Sequence, residues 1–496
     1  MASESMATSA MWIDGRWTEG ASGRWMDVQN PATEETYGRA PRGQAEDVAR
    51  AVDAARRAQP AWKRVPGVEK AKFLHEIAAR IRAQQRLLGE IMTREGGKPM
   101  IENLDEVEWT AACFDYYAEI GRHARGSTIP PVFEHQVNFT VKEPYGVVGA
   151  IVPFNYPLLL LSWKVAPALA AGNTVIVKPA EQTPLATLAV AAAFEVLPPG
   201  VLSIVTGTGS EAGEPLVVHP GVDMIAFTGS TAVGKHIMRL AADSLKKINL
   251  ETSGIDPFIV CEDADLEVAA RGGVWARFLN AGQVCTSAKR FYVVDAVAGA
   301  FVERFAALAR EIVVGDPMRP ETDMGPLISR GSLECVQRAL AVALQEGARL
   351  VSGGHRPADC ERGHFIEPTV LDSVRHGSSP TREEIFGPVA AIVRVRDVDE
   401  AIACANDSAY GLGASIFTNN LRHVMKAMEE IKAGTFWAND PLTDNEAGPF
   451  GGMRQSGMGR ELGEEGLDAF RETKHVHIDW LQERKSYWFP YRDRPW

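Results

Sequence analysis

Cys285 stands in the run LNAGQVCTSAKR, among small and polar residues rather than the Val, Leu and Ile that usually surround a free thiol. The TSAKRF segment that follows is compatible with a helix start, with Thr286 or Ser287 near the cap. Backbone N–H groups and the positive end of such a helix would stabilise a thiolate and arm it as a nucleophile. On this stretch alone an inert loop cysteine is an equal reading. Three other stretches bear on it. In PFNYP (153–157), Asn155 offers an amide donor in a stiff turn, as an oxyanion hole requires, although Asn is ordinary in turns. In NLETSG, Glu251 closes an apolar, strand-like run and could act as general base toward water, whereas a lone Glu is more often a solvated charge. In FTGSTAVGK (227–235), a strand runs into a glycine turn and a helix whose first N–H groups suit a phosphate. A second glycine run, TGTGSEAG (206–213), is one residue longer than GxGxxG and lacks an acidic partner about twenty residues on. By pattern alone, phosphate could sit at either turn.

These residues are far apart in the chain, so the fold must assemble them. At 496 residues the chain exceeds one core, and ~150 residues per domain suggests about three lobes. A net charge of −12 without a basic stripe argues against nucleic acid and anionic membranes as partners. The six cysteines are dispersed and form no CxxC, which disfavours a disulfide framework or structural zinc and fits a reduced, cytoplasmic setting. MASESMATSA lacks the basic and apolar regions of a signal peptide and reads as a loose tail. The uncharged stretch from Pro144 to Trp163 has transmembrane length, but Pro153, Asn155 and Pro157 interrupt it, so a buried strand leading into a turn is expected. Helical periodicity covers AEDVARAVDAARRAQ, KAKFLHEIAARIRAQQRLLGEIM and 104–122. From Tyr145 onward, VVGAIV, TVIVKP, LSIVTG and MIAFTG alternate with helical segments, which implies a parallel sheet covered by helices. A second α/β block is expected from about Asp256 to Thr435, with strands such as RFYVV and AAIVRV.

Taken in order, PFNYP, KPAEQTP, FTGSTAVGK, Glu251, GQVCTSAKR, EEIFGPV and PFGGMRQSGMGRELG resemble the aldehyde dehydrogenase superfamily over nearly the whole chain, nearest to its betaine/aminoaldehyde and broad-specificity members. The resemblance implies an α/β fold with a Rossmann-like NAD-binding domain (1–122 and 143–253) and an α/β catalytic domain (254–453). It also implies a small β oligomerisation arm with a C-terminal tail (123–142 and 472–496), serving a homo-oligomer, dimer or tetramer. Cys285 matches the nucleophile that forms a thiohemiacetal and then a thioester, Asn155 the oxyanion donor, and Glu251 the base for hydrolysis, which relatives that transfer the acyl group to CoA lack. Ile151, Pro153, Phe154, Lys178, Glu181, Phe227, Gly229, Ser230, Gly234, Glu384 and Phe386 match cofactor contacts, which assigns the phosphates to FTGSTAVGK. A carboxylate at Glu181 would repel a 2′-phosphate and favour NAD over NADP. Glu461 matches a proton-relay residue. Thr252-Ser253-Gly254 replaces the usual Leu-Gly-Gly, and Ile255 follows where Lys is common.

The positions matching the family's substrate funnel are Trp109, Tyr156, Leu159, Trp163, Leu279, Val284, Thr286 and Phe450. Each taken singly could be an ordinary core residue. Together they imply an aromatic-lined tunnel for apolar or aromatic aldehydes. A betaine or amino aldehyde is the alternative, with Asp440 and Asp444 supplying charge at the mouth, and a non-catalytic binding member is a third reading. No metal ligand set is expected. The tail WLQERKSYWFPYRDRPW runs past the implied oligomerisation strand, and its aromatics are expected to pack at a subunit interface.

Overall fold

The computed structural model describes residues 7–123 and 126–493. The first six residues and the last three, including Trp496, lie outside the described residues. The chain opens with a hairpin, Met11–Ile13 and Arg16–Thr18, whose turn at Asp14 and Gly15 takes positive φ at both residues. Such a turn matches the right-handed twist of two strands joined by two residues. The helical stretch then forms Ala45–Arg64, Gly67–Ala83, Gln85–Gly96 and Met100–Ile120, the second expected helix being broken at Gln84 (φ −104°, ψ 10°).

Five parallel strands form the first sheet's centre, in the order Lys247–Glu251, Met224–Thr228, Val147–Ile151, Thr174–Lys178, Leu202–Ile204. The opening hairpin extends one edge and Gly457–Met458 the other, both antiparallel. The uncharged run resolves into the strand Val147–Ile151, a turn, and the helix Leu159–Ala171. Among the described residues no helix is long and apolar enough to cross a membrane. From Val147–Ile151 the chain advances toward Leu202–Ile204, then returns to its other side with Met224–Thr228. That reversal opens a crevice at the carboxyl ends of the two central strands, the place where open α/β sheets hold ligands.

The second sheet runs Arg349–Ser352, Thr369–Asp372, Val389–Val395, Ala288–Val294, Asp256–Val260, Gly413–Phe417, Thr435–Ala438, parallel except for its first pair. It has its own core, in which Phe258, Phe291, Phe301, Phe305 and Phe417 pack ring against ring. After Phe450 the chain goes back to the first lobe: Leu462, Leu467 and Phe470 are buried in that lobe's core. A third sheet pairs Arg471–Asp479 with the full length of Gln136–Pro144, and Thr128–Ile129 joins its outer edge.

Candidate active site

Cys285 follows three consecutive left-handed residues, Asn280 (φ 49°), Ala281 (φ 54°) and Gly282 (φ 73°). Left-handed backbone costs ~1–3 kcal/mol per non-glycine residue and persists only where neighbours over-determine it. The Asn280 N–H donates to Glu102 Oε2 (3.1 Å) and its side-chain amide to the Asn155 carbonyl (3.2 Å). Gln283 Oε1 accepts from the Ile328 N–H at 2.9 Å. A Cβ on Gly282 would stand 2.5 Å from the Gly387 carbonyl oxygen, so this position needs glycine for space as well as for φ.

The helix expected after Cys285 is absent, because Ala288–Val294 is a strand buried along its whole length. Lys289 and Arg290 resemble a solvated helix face in sequence, yet both turn inward. Lys289 Nζ donates to the carbonyls of Val284 (2.9 Å) and Cys285 (2.6 Å), and Arg290 Nε donates to the Ile255 carbonyl (2.6 Å). No helix terminus therefore lowers the thiol pKa. Burial first, then the Glu251 charge, push the Cys285 thiol well above its ordinary value, with Lys289 opposing. The thiol is held in its protonated form beside a carboxyl group.

Glu251 ends the strand Lys247–Glu251, is 2% exposed, and has both carboxylate oxygens buried without a hydrogen-bond partner. A buried acid left unpaired costs free energy, which marks it as a functional candidate. Burial raises its pKa to about 8; the Glu461 charge raises it too, and Lys164 opposes them. Lys164, fully buried in the helix Leu159–Ala171, pairs with Glu461 (2.7 Å) and donates to Thr228 Oγ1 (2.6 Å). Sequence reasoning passed over Lys164. Its signal was a lone cation directly after the uncharged run, inside an otherwise apolar helix.

Asn155 is buried, and its side-chain amide donates to the Gln283 carbonyl at 3.0 Å. That uses one of two amide hydrogens and leaves the other for a ligand oxygen. The PFNYP turn is held from below. Glu106 accepts from the N–H groups of Leu158 (2.9 Å) and Leu159 (3.1 Å), and Lys98 pairs with Glu106 and lies 3.8 Å from the Tyr156 ring centre.

Two cavities meet at Cys285. One, of about 250 Å³, is lined by Pro153, Phe154, Asn155, Thr228, Gly229, Ser230, Glu251, Thr252, Ser253, Glu384 and Phe386 as well as Cys285. It lies at the crevice of the first sheet. Ser230 caps the helix Thr231–Ala242, accepting from the Val233 N–H, and so presents a helix N-terminus there. A Cβ on Gly229 would meet the Phe227 ring at 2.5 Å, and one on Gly234 the Thr252 methyl at 2.9 Å. Phe154 and Phe386 meet edge to face, 6.0 Å apart. Ile151 ends the central strand, and the strand Thr174–Lys178 ends at Lys178, whose ammonium burial lowers to about 8 with Glu181 opposing. The unusual Thr252 is anchored, its hydroxyl on the Gln455 carbonyl (2.7 Å) and its N–H on the Ser456 carbonyl (2.9 Å). Ile255 is buried. In the competing glycine run, Glu211 fills the turn, accepting from Thr208 and bound by Arg42 (2.7 Å) and Arg24 (3.1 Å).

The second cavity, of about 60 Å³, brings together Trp109, Tyr156, Leu159, Trp163, Leu279, Val284, Thr286 and Phe450 around the other side of Cys285. Trp163 and Phe450 are 4.9 Å apart. Trp275, Leu160, Leu442 and Asp444 also line it. Of these residues the sequence reading named only Asp444, and Trp275 sits on a helix with no motif. Trp109, Tyr156, Trp275 and Leu279 also line an outer cavity of about 650 Å³, whose other walls include Glu102, Asp105, Glu311 and Asp323, so the inner pocket opens into an acidic vestibule.

Residues 17–476 match the model of the aldehyde dehydrogenase family. The chain belongs to that family. As an aldehyde dehydrogenase it is an oxidoreductase acting on aldehydes. It is 41% identical over 483 residues to a chloroplastic aminoaldehyde dehydrogenase of Arabidopsis thaliana, covering 95% of this chain and 96% of that one. It is also 41% identical over 476 residues to betaine aldehyde dehydrogenase 1 of Oryza sativa, covering 94% of each. A crystal structure of betaine aldehyde dehydrogenase from Staphylococcus aureus in complex with NAD+ superposes with a TM-score of 0.95 at 35% identity, covering 97% of both chains. The shared architecture of two α/β lobes is therefore that of the aldehyde dehydrogenases.

Proposed function

We propose that this aldehyde dehydrogenase oxidises apolar or aromatic aldehydes to carboxylic acids with NAD+. The observation that carries the reading is the place of Cys285, where an apolar pocket meets the crevice cavity, beside the buried carboxyl group of Glu251. Glu251 takes the thiol proton as sulfur bonds to the carbonyl carbon. The developing oxyanion is received by the free amide hydrogen of Asn155 and the Cys285 N–H. NAD+, when bound, supplies the hydride acceptor. Gly229, Ser230 and the helix N-terminus would hold its phosphates, Lys178 and Glu181 the adenine ribose, and Glu384 and Phe386 the nicotinamide ribose. Lys164 with Glu461 relays that first proton away, and the thioester left on Cys285 is then hydrolysed by water that the regenerated Glu251 carboxylate deprotonates. The crevice in this sheet and the NAD+ complex of the Staphylococcus aureus relative support the cofactor. The Glu181 carboxylate supports NAD+ over NADP+.

A second reading, a betaine or amino aldehyde, is favoured by Asp444 on the wall of the aromatic pocket and by the likeness to plant aminoaldehyde and betaine aldehyde dehydrogenases. An aromatic box with one carboxylate suits a cation. Formation of NADH from NAD+, or of NADPH from NADP+, is measured on hexanal, benzaldehyde, 3-aminopropanal and betaine aldehyde. The apolar reading expects the highest kcat/KM on the first two and at least about a tenfold preference for NAD+. Faster turnover of the cationic aldehydes, lost in Asp444→Asn, would transfer the reading to the alternative.

The six unpaired cysteines support a reducing compartment such as the cytoplasm. Ile129, Val132, Phe133, Val137 and Ile478 are exposed on or beside the third sheet, which supports a homo-oligomer built through that arm. Lys485 ties the tail back to Asp479 (2.7 Å) and His135 (3.2 Å), and Trp480, Trp488 and Phe489 remain exposed. Truncation after Asp479 is expected to loosen the assembly in sedimentation. An unchanged sedimentation coefficient per mass would remove the tail from the interface.

A further inference from the structure

We infer that Cys261, Asp263 and His423 form a binding site for a zinc-like divalent ion, at the end of the second sheet opposite to Cys285. One thiol sulfur, one carboxylate oxygen and one ring nitrogen from these residues lie within 4.8 Å of one another. Around a tetrahedral zinc such atoms are about 3.5 Å apart, so small side-chain rotations close the site, with water as fourth ligand. The mixed donor set suits a borderline-soft ion rather than calcium or magnesium, which prefer oxygen alone.

Topology places the three residues together. Cys261 directly follows the strand Asp256–Val260, and Thr418 directly follows its parallel neighbour Gly413–Phe417. From the first strand the chain crosses to Ala288–Val294, and from the second to Thr435–Ala438, on the opposite side. The two crossovers part, which opens a crevice at the carboxyl ends of adjacent strands. His423 enters from the first turn of the helix Leu421–Glu430. The surroundings already orient the ligands. Thr418 Oγ1 donates to Asp263 Oδ1 (2.7 Å) and lies 3.5 Å from His423 Nδ1, and the Asn419 N–H donates to Asp263 Oδ2 (3.0 Å). Hydrogen bonds of this kind fix ligating carboxylates in metal sites. Cys285 precedes the amino end of its own strand, so this site stands apart from the aldehyde chemistry. No spacing motif marks it, because His423 is more than 150 residues beyond Cys261. The plain alternative is that Cys261 is a packing residue of the second core, where it is fully buried.

The full-length chain, freed of metal by dialysis against a chelator, is titrated with cobalt(II) and then with zinc. Binding at this site produces a thiolate-to-cobalt charge-transfer band that saturates at one ion per chain and is displaced by zinc, and zinc raises Tm. Cys285→Ala keeps the band, which separates this site from the catalytic thiol. Cys261→Val abolishes it, and His423→Ala and Asp263→Asn, which each remove a ligand, weaken cobalt binding by more than the about 10–100-fold that loss of an outer-sphere partner costs. His423 is half-buried on a surface helix, so its variant reports even where Cys261→Val does not fold. Absence of the band in the parent chain, its loss in Cys285→Ala, or unchanged binding in His423→Ala each overturns the inference.

Discussion

Cys285→Ala is expected to lower NADH formation from every aldehyde by about 10⁴-fold or more, while NAD+ still raises Tm as it does in the parent chain. The size follows from what is removed. Without sulfur no bond forms to the carbonyl carbon, so no tetrahedral species exists from which hydride can leave. Asn155 and the apolar pocket still position substrate, but positioning without a nucleophile gives only a small residual rate. Cys285→Ser is the harder test. Serine keeps the volume and a proton for Glu251 to take, yet its hydroxyl is a far weaker acid than a thiol already held above its usual pKa. It should be nearly as inactive as alanine. Turnover above about 1% of the parent rate in both variants, with folding intact, would mean that the reacting group is elsewhere and that the meeting of the two cavities at Cys285 is incidental.

The parts of the site that were readable in the sequence share a cause: each is a short motif whose chemistry is local. Gly229 and Ser230 offer a phosphate turn because strand, glycine and helix follow within nine residues, and Glu251 offers a base because a carboxylate closes an apolar run, though only the family resemblance chose them over TGTGSEAG and a solvated charge. Residues that act from a distance left weaker marks. Lys164 reaches Thr228 and Glu461 from a helix whose other residues are almost all apolar, so one charge was the whole signal. Lys289 and Arg290 misled outright. Two cations among small residues suggest a solvated helix, whereas tertiary burial makes them a strand whose side chains satisfy loop carbonyls. The apolar end of this strand, RFYVV, reads as a strand in sequence, but its start at Lys289 does not, because Ala288–Val294 is covered on both faces and shows no alternation. The first sheet was legible for the opposite reason: its strands are separated by glycine and proline turns. The second sheet was legible in part: RFYVV and AAIVRV stand out as apolar runs and both are strands, whereas crossovers over long helices hide the strand order.

Glu251→Gln should convert the enzyme from a catalyst into a reagent that reacts once. Acylation, itself slowed because the thiol must lose its proton to solvent, would still release close to one NADH per chain in the first turnover, and steady turnover would then fall by about 10²–10⁴-fold, because no base remains to deprotonate the hydrolytic water. Burst amplitude separates this from general damage, which lowers burst and turnover together. The parent enzyme carries a linked signature. Its base is active only when ionised, and burial holds it protonated up to about 8, so turnover limited by hydrolysis should rise through that pH and fall about tenfold per unit below it. The neighbours shift this limb in opposite directions. Lys164 favours the carboxylate, so Lys164→Met moves the limb to higher pH; Glu461 disfavours it, so Glu461→Gln moves it lower. Each single change strands a buried charge at a cost of about 3–5 kcal/mol, and the double variant relieves that strain and brings the limb back toward the parent position. A limb that stays fixed in all three variants, while Glu251→Gln still gives a full burst, would leave Glu251 as the base but detach it from the Lys164–Glu461 pair. A Glu251→Gln enzyme that turns over steadily would show that the water is activated by another group.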